Sequence, residues 1–350
     1  MDLLKRTISS IVPLNTEAMQ QAQVRLDILT KPLGSLGRLE SIAKQLAGIT
    51  GNPRPQISKK CVVVMAGDHG VASEGVSAFP SEVTYQMVAN FIRGGAGINV
   101  LARHSNADVF VVDMGVAVDI DLPGVINRKI DYGTRNMVIE PAMTYEQAVK
   151  ALEAGVEIAK DLIKNQGYTL LATGEMGIAN TTPSSALLAV FGGLKVEDVC
   201  GRGTGIDEAG LKNKQNAIRK AIEVNQPNVN DPIDVLAKVG GYEIAGLAGL
   251  ILGAAANKTP IIIDGFISSA AALIAQRIAP LSVEYMIPSH ASEEPGHKMI
   301  LELLGLKPML LLNMRLGEGT GAALAMHIVE GACKIINEMA TFADAGVTGP

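Results

Sequence analysis

Six short apolar runs, each closed by a turn and most of them followed by a helical pattern, restrict this chain to very few folds. They are CVVVMAG (61–67), DVFVVDMG (108–115), YTLLATG (168–174), TPIIIDG (259–265), LSVEYMIP (281–288) and PMLLLNM (308–314). Their apolar residues run on without alternating, so each reads as a strand buried on both faces, as in a parallel sheet covered by helices. The segments between them, such as TYEQAVKALEAGVEIAKDLIKN (144–165), carry helical spacing. The expectation is an α/β layered fold of about six parallel strands with helices on both faces. Residues 1–48 hold helical patterns without a strand, and a long helix is expected over about 321–342. The two ends are therefore expected to build a small helical subdomain (1–48 with 321–350) beside an α/β catalytic domain (49–320).

Composition removes several function classes. With 48% hydrophobic and 19% charged residues in 350, the chain can bury a large core and is not disordered. A net charge of −5 with scattered cations and only 3% aromatics lacks the basic stripe and stacking platform of a nucleic-acid binder. Cys61, Cys200 and Cys333 are far apart with no CxxC spacing, and read as buried free thiols in a reducing compartment. The N-terminal stretch MDLLKRTISSIVPLNTEAM has no signal-like apolar core. The longest apolar run, IAGLAGLILGAAA (244–256), is too short to cross a bilayer and reads as a buried helix. The expectation is a soluble, cytoplasmic protein that binds neither membrane nor nucleic acid.

In open parallel sheets ligands bind beyond the carboxyl ends of the strands, so the residues just after each strand are the candidates. GDHG (67–70), TGEMGIANTT (173–182), DGFISS (264–269), PSHASEEPGH (288–297) and RLGEGTG (315–321) lie there, and GRGTGIDEAGLKNK (201–214) fills one connection. Glu318 is the odd member. Glycine-rich turns opening a helix usually cradle phosphate, yet here a carboxylate stands between Gly317 and Gly319. Two readings stay open: a carboxylate complementing the dipole of the following helix, or a base left bare by its glycines beside the apolar Leu316 and turned toward a weakly acidic N–H. GEGTGA also fits GxGxxG/A, but it lies at the last strand rather than the first, with no later strand to supply the ribose-binding acid. GRGTG (201–205) is the better phosphate loop, because its charged member, Arg202, is a cation and Lys214 can fold back toward it.

Asp68, His69, His290, His297, Glu293 and Glu294 could be drawn as a metal cluster. Their spacing is not that of a helical zinc site, and structural or substrate-contacting roles are expected instead. His104 and His327 read as packing or surface residues. No nucleophile elbow, Walker loop or pyrophosphate-ribose loop is present.

Taken together, GDHG, SAFPSEVTYQMVANFIRGGAGIN, TGEMGIANTTPSSAL, CGRGTGID, SHASEEPGH and RLGEGTGAALA resemble one family, the nicotinate-nucleotide:dimethylbenzimidazole phosphoribosyltransferases. The resemblance runs from about residue 26 to 340 with no departure at the motif positions. It implies a Rossmann-like sheet with a small helical domain from both termini, a homodimer, and no cofactor or metal. The implied substrates are nicotinate mononucleotide and 5,6-dimethylbenzimidazole, giving α-ribazole 5′-phosphate and nicotinate for the lower nucleotide loop of cobalamin. Glu318 becomes the general base that takes the azole proton. Ser81, Tyr85, Gln86, Met87 and Leu316 are expected around the benzimidazole. Glu175 and Gly177 fall on the nucleotide side, with Lys214, Ser292 and the backbone of Gly203 and Gly205 at the phosphate. The rival readings are a different nucleotide-dependent enzyme and a non-catalytic nucleotide-binding module on the same scaffold.

Overall fold

The computed structural model describes residues 2–349. Its centre is a six-stranded, wholly parallel sheet in the order β3-β2-β1-β4-β5-β6. The strands are β1 (Lys60–Gly67), β2 (Asp108–Gly115), β3 (Val125–Asn127), β4 (Leu170–Met176), β5 (Ile261–Ile263) and β6 (Met286–Pro288). The chain begins with helices α1 (Asp2–Ser9), α2 (Thr16–Asp27) and α3 (Arg38–Thr50); α4 (Glu82–Arg93) and α5 (Gly97–His104) connect β1 to β2, and α6 (Tyr145–Lys160) leads into β4. Between β4 and β5 run α7 (Thr181–Gly192), α8 (Val196–Val199), α9 (Glu208–Asn225), α10 (Pro232–Val239) and α11 (Tyr242–Ala256). After β5 come α12 (Phe266–Ile278), α13 (Pro295–Leu304), α14 (Thr320–Glu338) and α15 (Phe342–Ala345).

The period-two geometry of a strand divides the core into two layers. Cys61, Val63 and Met65 of β1 face one apolar cluster with α6, α7 and α10 to α12. Val62, Val64 and Ala66 face the other, with α2 to α5 and α14. β1 is buried along its whole length, which is why it reads as an unbroken apolar run. The run at 244–256 lies within α11, buried from Tyr242 through Ala255. It packs on α6 at glycine contacts: side chains at Gly155 or Gly249 would strike the backbone of Gly246 or Leu152. The end helices α2, α3 and α14 lie together. Arg25 donates to the carbonyls of Ile336 and Met339, and Leu29 forms a bridge with Thr341. α1 sits on the opposite face, where Leu4 N–H donates to Glu153.

Two strand expectations need correction. Residues 308–314 form no regular strand and make one parallel bridge, His290–Leu310. Past the end of β6 the two segments still share backbone bonds, with Met309 and Leu310 donating to the Ser289 carbonyl, Ala291 to Leu310 and Glu293 to Met314, but their spacing is too irregular for a ladder. Leu311 and Leu312 are left 79% and 51% exposed. LSVEYMIP is a 3₁₀ turn over Pro280–Tyr285 before the short β6. The sixth strand is instead β3, a half-buried edge of three residues. Cys61, Cys200 and Cys333 are free and buried. Among the described residues no helix is long and apolar enough to cross a membrane.

Candidate active site

With strand order 3-2-1-4-5-6, the chain reverses direction of travel between β1 and β4, and a crevice is expected there. The mouth of β1 is occupied by protein. His69 Nε2 meets Glu243 Oε1 at 2.8 Å with both side chains buried, and Gly177 presses on the Gly67 carbonyl. The open cavity, about 500 Å³, lies over the ends of β4, β5 and β6.

Glu318 stands in its wall. Gly317, Glu318 and Gly319 have φ of 82°, 62° and 91°, three consecutive left-handed residues. Glycine adopts this freely, whereas for glutamate it costs about 1–2 kcal/mol, strain that packing must hold in place. The packing is tight: a side chain at Gly174 would strike the Glu318 carbonyl, and one at Gly319 would strike Val62. Asp264, at the end of β5, accepts the N–H groups of Gly319 (3.2 Å) and Ala322 (2.9 Å). The N-terminus of α14 is thus satisfied by Asp264, not by Glu318. The Glu318 carboxylate accepts the Ile98 N–H at the start of α5 (3.0 Å), where a side chain at Gly97 would crowd both Leu316 and Glu318. Burial raises the Glu318 pKa, the Ile98 N–H opposes the rise, and Asp264 adds to it. A carboxylate held this way is a stronger base than a solvated one.

Glu175, at the end of β4, is pushed up to about 8, chiefly by burial, against the opposing Asn180 hydrogen bond. The folded protein keeps this proton while the unfolded chain, with an ordinary value of 4.5, releases it. Stability from this group is therefore full below about pH 4.5 and falls as the pH rises toward 8. Thermal unfolding from about pH 5 to 9 should show a smaller decline in Glu175→Gln than in wild type; equal declines would detach Glu175 from the effect.

Of the expected residues, the cavity wall gathers Glu318, Leu316, Met87, Glu175, Gly177, Gly203 and Ser292. Lys214 lies just behind it, fully buried, donating from Nζ to Thr181 Oγ1 (2.6 Å) and to the Gly201 carbonyl (3.2 Å). Ser81, Tyr85, Gln86 and Gly205 are not in the wall. Ser81 precedes α4, Tyr85 leans on the apolar layer beneath it, and Gln86 and Gly205 are exposed. Three consecutive residues of a helix point about 100° apart, so Tyr85, Gln86 and Met87 cannot share one face. The face of Met87 carries Val83 instead, one turn earlier. That spacing was readable in the sequence.

Other wall residues carried no such signal. Val76, Ser77 and Phe79 come from the loop before α4, and Thr204 joins that loop to GRGTG: its hydroxyl accepts the Ala78 N–H (3.0 Å) and meets Ser77 Oγ (3.2 Å). Arg315 donates to the Gly203 carbonyl across the mouth (3.2 Å). Asp68 and the histidines that could be drawn as a metal cluster have separate partners. Asp68 accepts the Ala117 N–H, and His290 contacts Ser289 and lies 3.9 Å from Asp264. Burial lowers His297 to about 3, so its neutral ring can accept the Ser292 N–H (2.8 Å) and fix that loop. Among the described residues no group of three or more His, Cys, Asp or Glu could hold a metal ion. His104 and His327 pack edge to face between α5 and α14.

A family model described as a phosphoribosyltransferase matches residues 11–347. The chain is 57% identical over 349 residues to the nicotinate-nucleotide–dimethylbenzimidazole phosphoribosyltransferase of Halalkalibacterium halodurans, covering 100% of this chain and 98% of that one. It is also 57% identical to the protein of the same name from Chloroflexus aggregans, covering 99% of each. A crystal structure of the Thermus thermophilus protein of that name superposes with a TM-score of 0.91 at 45% identity, over 96% of this chain and 100% of the other.

Proposed function

This chain belongs to the nicotinate-nucleotide–dimethylbenzimidazole phosphoribosyltransferase family, and from that premise we propose how its cavity performs the transfer. The enzyme moves the phosphoribosyl group of nicotinate mononucleotide to 5,6-dimethylbenzimidazole, giving α-ribazole 5′-phosphate and nicotinate, a step in assembling the lower nucleotide loop of cobalamin. Glu318 takes the azole N–H proton while the other ring nitrogen attacks C1′. The bond from C1′ to the pyridinium nitrogen breaks, its electron pair stays on that nitrogen, and nicotinate leaves as a neutral pyridine. Attack opposite the leaving group inverts C1′ from β to α. The observation that carries this reading is the buried Glu318 carboxylate in the wall of an apolar cavity, aimed by the Ile98 N–H. Nicotinate release from the mononucleotide upon adding dimethylbenzimidazole tests it; no release would refute the transfer.

Leu316, Met87, Val83 and Phe79 supply the apolar slot for the flat azole. Ser81, Tyr85 and Gln86, assigned to the azole by the family pattern, stand at or on α4 outside this slot, and Glu175 and Gly177 are assigned to the nucleotide side. The two ring methyls, at about 0.8 kcal/mol each, should make unsubstituted benzimidazole bind about tenfold more weakly while still reacting. Adenine should be poorer, since its exocyclic amine loses water without a partner. Steady-state kinetics with the three bases checks this, and adenine equal to dimethylbenzimidazole would mean a polar slot.

The phosphate is assigned to the backbone of Gly203 and Gly205, Ser292 and Lys214. The Lys214 ammonium is bonded to a hydroxyl and a carbonyl and not to a carboxylate, and burial lowers its pKa, so an incoming anion is a favourable partner. Lys214→Met should weaken the mononucleotide roughly tenfold to a hundredfold or more and spare the azole. Equal weakening of both in titrations would make the lysine structural. The same proposal includes a helical subdomain (1–48 with 321–350), supported by the contacts of α2, α3 and α14 but not by α1, which packs on the opposite face, and a homodimer, for which the exposed Leu311 and Leu312 offer an apolar surface. It also places the enzyme in the cytoplasm.

A further inference from the structure

Three carboxylates stand in the cavity wall: Glu175, Glu294 and Glu318. When ligand fills the cavity and displaces water, each needs a hydrogen-bond donor or a cation, because an unpaired buried carboxylate is strongly unfavourable. The two substrates assigned above offer few donors. The phosphate and carboxylate of nicotinate mononucleotide accept hydrogen bonds, its pyridinium nitrogen carries no N–H, and its only donors are two ribose hydroxyls. Dimethylbenzimidazole adds one N–H, which Glu318 takes. Glu175 keeps its proton up to about pH 8 and already accepts from the Asn180 amide, so it needs no further donor. Glu294 remains.

The charge of Lys214 lies close enough to interact with Glu294, but that ammonium is hydrogen-bonded to Thr181 and the Gly201 carbonyl, and Glu294 receives no hydrogen bond from it. Glu294 is 8% exposed and occupies the position before α13, yet its side chain makes no capping hydrogen bond there. Its Oε2 is buried without a hydrogen-bond partner. Its carboxylate rests on Gly201, where any side chain would collide with it, and the Gly201 carbonyl receives the Lys214 ammonium. Glu294 therefore flanks the phosphate pocket. It cannot face the phosphate itself, because like charges would repel. The hydroxyls of a ribose lie one sugar ring away from its 5′-phosphate, and a carboxylate with two acceptor oxygens suits a vicinal diol. We propose that Glu294 receives the 2′- and 3′-hydroxyls of the nucleotide's ribose and so selects ribonucleotides over deoxyribonucleotides. The proposal rests on the reading that nicotinate mononucleotide occupies this cavity.

The test is calorimetric binding of nicotinate mononucleotide and its 2′-deoxy and 3′-deoxy counterparts to wild type, Glu294→Ala and Glu294→Gln, with nicotinate release followed in parallel. Wild type should bind the ribonucleotide at least about tenfold more tightly than a deoxy form, since the missing hydroxyl strands the carboxylate. Glu294→Ala should bring that ratio within about twofold, with dimethylbenzimidazole binding retained as the sign of an intact cavity. Glu294→Gln keeps one acceptor oxygen and should fall between; if the alanine variant does not fold, a reduced ratio in glutamine supports the proposal. No discrimination by wild type, or an unchanged ratio in the variants, overturns it. The ratios come from binding alone. A wild-type protein that binds the nucleotide but releases no nicotinate therefore refutes the transferase reading, while the ratios still decide Glu294.

Discussion

Glu318→Gln should fold, bind both substrates, and turn over roughly 10²–10⁴ times more slowly, the range for losing a positioned general base. The amide keeps the size of the carboxylate and can still accept the Ile98 N–H, so the left-handed turn that carries it need not change. What it cannot do is accept the azole proton, so the attack would produce a cationic ring. Because burial raises the Glu318 pKa and the working form is the carboxylate, the acidic limb of wild-type kcat/KM should lie above the ordinary glutamate range of 4.5. Stopped assays of nicotinate release give both quantities. An unchanged kcat would remove Glu318 from the base role, and a raised KM with normal kcat would make it a binding residue.

Gly249→Ala should cost the fold about 3 kcal/mol or more, with no change at the active site. The added methyl would meet the Leu152 carbonyl, part of a helix backbone that no side-chain rotation can move aside. α6 and α11 would have to separate along the most closely packed seam of the core. Gly331→Ala in α14 is the control: nothing lies within 4 Å of its added methyl, and it should stabilise by roughly 0.5–1 kcal/mol. Guanidinium unfolding of both variants checks the pair. A Gly249→Ala midpoint equal to wild type would mean that the helices can spread freely.

The sheet was legible where burial is complete. β2 falls on the very residues of its apolar run, 108–115, because its core-facing half is buried on both sides. The run at 308–314 is equally apolar, but it pairs only irregularly with residues 289–293, and hydropathy does not register the regularity of a partner. β3 escaped notice for the opposite reason, three half-exposed residues too short to form an apolar run, paired with Val111–Asp113. In the site, Glu318 was singled out by its flanking glycines, yet two readings of it stood until Asp264 proved to satisfy the following helix. Asp264 and Gly97 lie 54 and 221 positions away in sequence, and a single sequence says nothing about which distant backbone will close on which carboxylate. Thr204 and Glu294 lay in stretches the sequence had singled out, but their positions in the cavity wall depend on contacts that no single stretch encodes.

The packing of α2 and α3 against α14 also sets a schedule for synthesis. Thr50 ends α3 and Thr320 begins α14, 270 positions apart. At roughly 5–20 residues per second, the first helices leave the ribosome about 14–54 s before their partner is made. Through that interval Leu26, Ile42 and Leu46 have no α14 to cover them, so apolar surface that the finished fold buries stays exposed on the nascent chain. Glu318 emerges at the same late moment. A stalled or prematurely released chain would therefore lack both the cover for those helices and the base, and could not act as a half-finished enzyme.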